Sequence, residues 1–289
     1  MKTWTLILLL AVPAAALAAD SPQIVPDVVY GHKDGLALTY DVIKPDKQSG
    51  AAVILVQSGG WFSLYTDPKV HLPGGKMYLD RGFTLIILRH GSAPKYTVPE
   101  AADDVRRAVR HIRMKARDHG IDPARIGITG GSAGGHLSLM VGTTGDDGDP
   151  EAKDEVLKYP SRVAAVVALY PPTDLRKWTT DPPDEIKKYP TLKPQLTFDA
   201  KLEAEVSPLL KVTADDAPTL LIHGDQDVLV PIEHSENIVP LFEKVKVPCK
   251  LVTVEGAGHG FTPQQQMDII APATLAWFEE HLEGPVSPR

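Results

Sequence analysis

The chain has 289 residues, 43% of them hydrophobic, with a single cysteine and a formal net charge of −7. That length suits one large α/β domain with a well-buried core better than two equal domains. The acidic balance argues against a nucleic-acid partner, which calls for a concentrated Lys/Arg surface, and a lone Cys249 excludes both an intramolecular disulfide and a cysteine metal cluster.

The first residues read as a secretory signal: Lys2, an apolar stretch over residues 4–12, Pro13, and Ala16-Leu17-Ala18 as a small-x-small cleavage site. The expected product is residues 19–289, secreted or periplasmic after cleavage near Ala18. The apolar stretch is short of the ~20 residues that span a bilayer, so no membrane partner is expected.

Residues 36–43 alternate as a half-exposed strand, whereas 51–56, 83–88, 126–129, 163–169, 219–222 and 250–254 are short β-branched runs of the kind buried in parallel sheets. Helical patterns occupy 75–81, 99–118, the stretch after Gly135, 232–246 and 263–281. Alternating β and α elements imply an α/β fold: a mainly parallel sheet of about eight strands with helices on both faces and sites at the carboxyl ends of the strands. In the second helix Ala101, Val105, Ala108, Val109 and Ile112 form an apolar stripe. Arg106, Arg107, Arg110, Arg113, Lys115 and Arg117, with Asp103 and Asp104 at ion-pair spacing, read as its solvated face.

Gly130-Gly131-Ser132-Ala133-Gly134-Gly135 falls between a strand and a helix. A serine on so sharp a turn needs side-chain-free neighbours two positions before and after it, and Gly130 and Gly134 fill both. The helix that follows directs unpaired N–H groups at an oxyanion forming over Ser132, that of Ala133 being nearest. The plainer alternative is a glycine-rich turn with an ordinary serine.

Such a serine needs a histidine to take its proton and a carboxylate to orient that histidine. The loop His223-Gly224-Asp225-Gln226-Asp227 opens after the strand at 219–222, and Gly256-Ala257-Gly258-His259 after the strand at 250–254. Both loops open where Ser132 emerges, in the order serine, acid, histidine. A second oxyanion donor is expected in Gln57-Ser58-Gly59-Gly60-Trp61, with Gly59 and Gly60 as candidates and Trp61 possible. Residues 174–206 break the β/α alternation and read as a short cap insertion. Of its 33 residues 13 are charged and four are prolines, which disfavours a lid that docks on lipid. Trp61 and Trp178 are candidate stacking walls for substrate, with ordinary packing as the alternative. His136 reads as a packing residue. His223 with Asp225 and Asp227 is better explained by the serine's partners than by a metal site, so neither metal nor cofactor is expected.

These pieces carry a resemblance. Together with Ala93-Pro94, Asp122-Pro123-Ala124-Arg125-Ile126 and Tyr170-Pro171-Pro172-Thr173-Asp174-Leu175, they make the chain similar to α/β-hydrolases of the bacterial carboxylesterase group, both the hormone-sensitive-lipase-like and the acetylxylan and feruloyl esterases. The resemblance implies a serine carboxylesterase acting on small or polysaccharide-linked esters without a cofactor. It also implies Asp227 as the triad acid and Asp225 as a turn-shaping residue. The chain departs from the group at Gln57-Ser58, where those esterases carry a histidine and a first glycine. Two alternatives stand beside it: a serine peptidase of the prolyl-oligopeptidase type, which shares the 223–231 loop, and a binding protein that keeps the scaffold without chemistry. Neither the ester nor the oligomeric state is legible in the sequence.

Overall fold

A computed structural model describes residues 22–282; the expected signal segment 1–18 lies outside them. Eight strands form one sheet: β1 (Gln23–Lys33), β2 (Leu36–Lys44), β3 (Ala52–Val56), β4 (Thr84–Leu88), β5 (Ile126–Gly131), β6 (Ala165–Leu169), β7 (Thr219–Gly224) and β8 (Cys249–Val254). Their spatial order is β1-β2-β4-β3-β5-β6-β7-β8. β1 and β2 are antiparallel and the rest run parallel from β4 to β8. This is the α/β-hydrolase architecture. Because β4 lies on one side of β3 and β5 on the other, the connections diverge between β3 and β5, and such a switch point opens a crevice at the carboxyl ends of the strands.

The β-branched runs bury both faces of the sheet. Ile54, Ile86, Ile128, Val166 and Leu221 pack against α2 (Val98–Met114), α4 (Ala133–Thr143) and α6 (Glu233–Val245). The alternate residues Val53, Leu85, Ile87, Val167 and Ile222 face α1 (Leu72–Leu79) and α8 (Ala271–Leu282), where Phe278 is fully buried. Cys249 packs at the edge of the first cluster, and burial pushes its thiol up to about 12, as suits a small hydrophobe.

Several elements depart from the sequence pattern for physical reasons. β1 was not expected: Pro26 interrupts it, and the register slips between Val25 and Val28 with Asp27 at φ 52°. An edge strand tolerates such a proline. Its bulge is held from inside, since the Asp27 N–H donates to Asp41 at 2.9 Å and the Arg89 guanidinium reaches both Asp41 (2.5 Å) and Asp27 (3.0 Å). The helix expected over 99–118 stops at Met114, and a further turn, α3 (Ala116–His119), ends in the left-handed Gly120. The last helix is divided into α7 (Pro263–Gln265), a π-turn (Gln266–Ile270) and α8, because Pro272 lacks the N–H that a regular helix would direct at Asp268.

The arginine face of α2 is not the solvated face expected. Arg107 pairs with Asp154 (2.5 Å), Arg110 with Asp146 (2.5 Å), and Arg113 donates to the carbonyls of Pro160 and Arg162. Arg110 is 7% exposed. The planar fork of arginine satisfies carbonyls of the 146–162 loop that helical spacing alone does not reveal. Among the described residues no helix is long and apolar enough to cross a membrane.

Under the sheet the Tyr40 hydroxyl lies between His111 Nδ1 (3.1 Å) and His119 Nε2 (3.0 Å), all three buried. Burial, with Lys115 nearby, lowers His111 to about 4, and burial lowers His119 as well. An unfolded histidine titrates near 6.5, so the stability these neutral rings contribute is complete above that pH and is lost as pH falls toward 4. The melting temperature is expected to drop by several degrees between pH 7.5 and 5. In His111→Asn, which cannot be protonated, the drop measured by the same melts should be smaller.

Candidate active site

β5 hands the chain to α4 through Ser132, at φ 52° and ψ −120°. An L-residue rarely adopts that conformation. It is held on both sides, because the Ser132 N–H donates to Leu169 (2.9 Å) and its carbonyl accepts from His136 (2.9 Å). A Cβ on Gly130 would lie 2.5 Å from the Gly134 carbonyl carbon, and one on Gly134 would lie 2.7 Å from the Val56 oxygen. The two flanking glycines are therefore required by the approach of α4 to both β5 and the end of β3.

The structure brings Ser132, Asp227 and His259 together although they come from three loops. His259 Nε2 is 2.8 Å from Ser132 Oγ, and its Nδ1 is 2.7 Å from Asp227 Oδ2. Asp227 is fully enclosed and its other oxygen accepts the N–H groups of Leu229 (3.0 Å) and Val230 (2.9 Å). Burial alone would raise this carboxyl, but bonds from His223, His259 and the Val230 backbone hold it well below the usual carboxylate range. An ionised Asp227 accepts a hydrogen bond from His259 Nδ1–H, which leaves Nε2 bare to accept the Ser132 hydroxyl.

Between the two carboxylates of the acid loop the geometry is decisive. Asp225 accepts the Gly256 N–H at 2.7 Å and joins the acid loop to the histidine loop. Gly224 lies so close to the Ala257 carbonyl that no Cβ fits between them. His223 is buried behind Asp227, bonded to Ser235 Oγ (2.7 Å) and the Val230 carbonyl (2.8 Å). Among the described residues no group of histidine, cysteine and carboxylate side chains could hold a metal ion.

The oxyanion wall corrects one expectation. Gly59 donates its N–H to Phe62 at 3.0 Å and accepts from it at 2.9 Å, a bridge that removes Gly59 as a donor. Gly60 follows at φ 54° with no acceptor for its N–H among the described residues. Of the expected donors, Gly60 and Ala133 keep theirs available, as does Trp61, whose N–H has no acceptor among the described residues. Gly60 is also clamped from the cap, because its carbonyl accepts Gln195 Nε2 at 2.6 Å and the Leu192 side chain occupies the place of a Cβ. Residues 174–206 hold α5 (Asp184–Lys187) and a series of single 3-10 turns. His136, fully buried, accepts from Trp61 Nε1 (3.2 Å) and donates to the Val206 carbonyl (2.7 Å), joining α4 to both the oxyanion loop and the end of the cap. Burial lowers this imidazole to about 4, which keeps it neutral for both bonds.

A cleft of about 360 Å³ opens over Ser132 and His259. Trp61 and Trp178 border it, but at 3% and 5% exposure, edge to face at 6.4 Å, they leave little ring surface for stacking. Sequence reasoning assigned no role to Tyr170, whose ring lies 4.8 Å from that of His259 and whose backbone is held at φ 38° by a bond from its N–H to Ile222 (2.8 Å). Its sequence signals were its place at a predicted strand end and in the Tyr170-Pro171-Pro172 run that carries the resemblance. Tyr189 and Leu192 of the cap complete the walls.

A family model described as BD-FAE matches residues 40–241. The probable carboxylic ester hydrolase LipM of Mycobacterium tuberculosis is 28% identical over 81% of this chain and 56% of its own length. The chain thus spans about half the length of the curated relatives it matches. Among solved structures, a truncated carbohydrate esterase from gut microbiota superposes with a TM-score of 0.76 at 26% identity, covering 92% of this chain and 99% of that one. Esterase 2 of Thermogutta terrifontis superposes with a TM-score of 0.71 at 25% identity, covering 93% and 95%.

The elbow predicts its own fragility. Gly134→Ala should destabilise the protein by about 1–3 kcal/mol, since the added methyl meets a backbone carbonyl that cannot rotate away. Urea unfolding of this variant beside Gly74→Ala, where a Cβ meets nothing within 4 Å, measures the difference.

Proposed function

This chain belongs to the BD-FAE family of α/β-hydrolases, and from that premise we propose that it is a serine carboxylic ester hydrolase working through an acyl-enzyme. The observation that carries the reading is the hydrogen-bonded series from Ser132 Oγ through His259 to Asp227 at 2.8 and 2.7 Å. In this reading Ser132 Oγ attacks the ester carbonyl as His259 Nε2 takes its proton, and Asp227 stabilises the resulting imidazolium. The N–H groups of Gly60 and Ala133 receive the oxyanion. Collapse of the tetrahedral adduct expels the alcohol oxygen, which takes from His259 the proton that came from Ser132. Water activated by the same histidine then releases the acid.

The ester is proposed to be small or carbohydrate-linked. Supporting this are the likeness to a carbohydrate esterase and a cleft of about 360 Å³ edged by Tyr170 and Tyr189. Export to the periplasm or medium belongs to the same reading and rests on residues 1–18 alone.

Purified protein is expected to hydrolyse p-nitrophenyl acetate and to be labelled by a fluorophosphonate at Ser132. Ser132→Ala should lower kcat by at least about 10³-fold and abolish labelling. Turnover of an aminoacyl p-nitroanilide in preference to the ester would shift the assignment to a peptidase, and a folded protein inert to the fluorophosphonate would leave a scaffold without this chemistry.

A further inference from the structure

The Gln57-Ser58 pair that departs from the esterase pattern leads to a residue with a fixed polarity. Gln57 turns away from the cleft, donating to the Leu64 carbonyl (2.8 Å) and to Thr66 (3.0 Å). Ser58 borders the cleft, and its Oγ lies 2.9 Å from His90 Nε2. On the other side of that ring, His90 Nδ1 is 2.8 Å from the Gly91 carbonyl, which only accepts, so Nδ1 carries a proton. Burial, together with the charge of Lys33, lowers His90 to about 4, so the ring holds no second proton at neutral pH. Nε2 is therefore an acceptor, and the Ser58 hydroxyl must donate to it.

This assignment has two consequences. Ser58 cannot serve the oxyanion, since its single proton is committed to His90. Its oxygen, polarised by that bond, keeps its lone pairs with no protein donor among the described residues. An acceptor bordering the cleft beside Gly59 and Gly60 rewards a ligand that brings a donor there and disfavours one that brings only an ether or alkyl group.

We propose that Ser58 is a specificity-determining residue whose Oγ accepts a hydrogen bond from a free hydroxyl of the substrate beside the reacting ester, so that partially acylated polyols are preferred over their fully blocked counterparts. The proposal rests on the ester-hydrolase reading above and adds to it which neighbouring group the site recognises.

The test compares kcat/KM for two esters of one shape: a monoacetylated methyl xyloside with free hydroxyls, and the same acetate with those hydroxyls O-methylated. p-Nitrophenyl acetate reports the chemistry alone, and fluorophosphonate titration normalises every rate to competent sites. Wild-type protein is expected to prefer the free-hydroxyl ester, and Ser58→Ala to lose about 5- to 10-fold of that preference. Ser58→Thr, which keeps a hydroxyl for both bonds, should retain it to within about threefold. A Ser58→Ala variant that loses rate equally on both xylosides, or keeps the wild-type preference, overturns the proposal: the hydroxyl would then merely satisfy His90. Hydrolysis of p-nitrophenyl acetate with no wild-type preference between the xylosides also overturns it while leaving the esterase reading intact. Failure to turn over any of the three esters overturns both.

Discussion

The structure depends on a backbone approach that no side chain is allowed to occupy. Where β5 turns into α4, Gly130 touches Gly134, and Gly134 touches the last carbonyl of β3. That contact holds Ser132 in a conformation an L-residue would otherwise avoid and presents its hydroxyl at the edge of the sheet. It also brings the oxyanion loop, which leaves β3, against the N-terminus of α4, so the N–H groups of Gly60 and Ala133 come from neighbouring backbone. The strain at Ser132 is sustained by hydrogen bonds on either side and by a completely buried helix.

Around that contact, protons are assigned by burial. Asp227 is enclosed yet stays charged because His223, His259 and the Leu229 and Val230 N–H groups donate to it. His90 and His136 are enclosed and neutral, so each has one donating and one accepting nitrogen, and their bonds have a fixed sense. In His136 that sense joins the elbow helix to both the oxyanion loop and the cap. In His90 it sets the direction of a hydroxyl on the cleft wall. Imidazoles that read as incidental along the sequence thus orient groups that border the cleft over Ser132.

Much of this was legible beforehand, and the reasons are local. Flanking glycines betray a sharp turn because only they relieve its sterics, and short β-branched runs betray buried strands. The order of serine, acid loop and histidine loop follows from strand ends opening on one edge. The failures are equally particular. Pro26 hid β1, whose bulge is secured by Asp41 of the paired strand β2 and by Arg89, far along the chain just past β4. The arginines of α2 looked solvated because their carbonyl partners lie 47 to 49 residues away. Gly59 and Gly60 looked equivalent until the bridge to Phe62 engaged one of them.

The sequence by itself determined the fold class, the strand-to-helix elbow at Ser132 and the two loops that supply its partners, because backbone sterics and hydrophobic period act over a few residues. Only the tertiary structure decided that Asp227 rather than Asp225 faces His259, that Gly60 rather than Gly59 keeps its N–H available, and that Trp61 and Trp178 are mostly enclosed. It also decided which way the Ser58 proton points. A hydrogen bond is settled by competition among all donors and acceptors within about 3 Å, and those neighbours are assembled from strands and loops far apart in the chain.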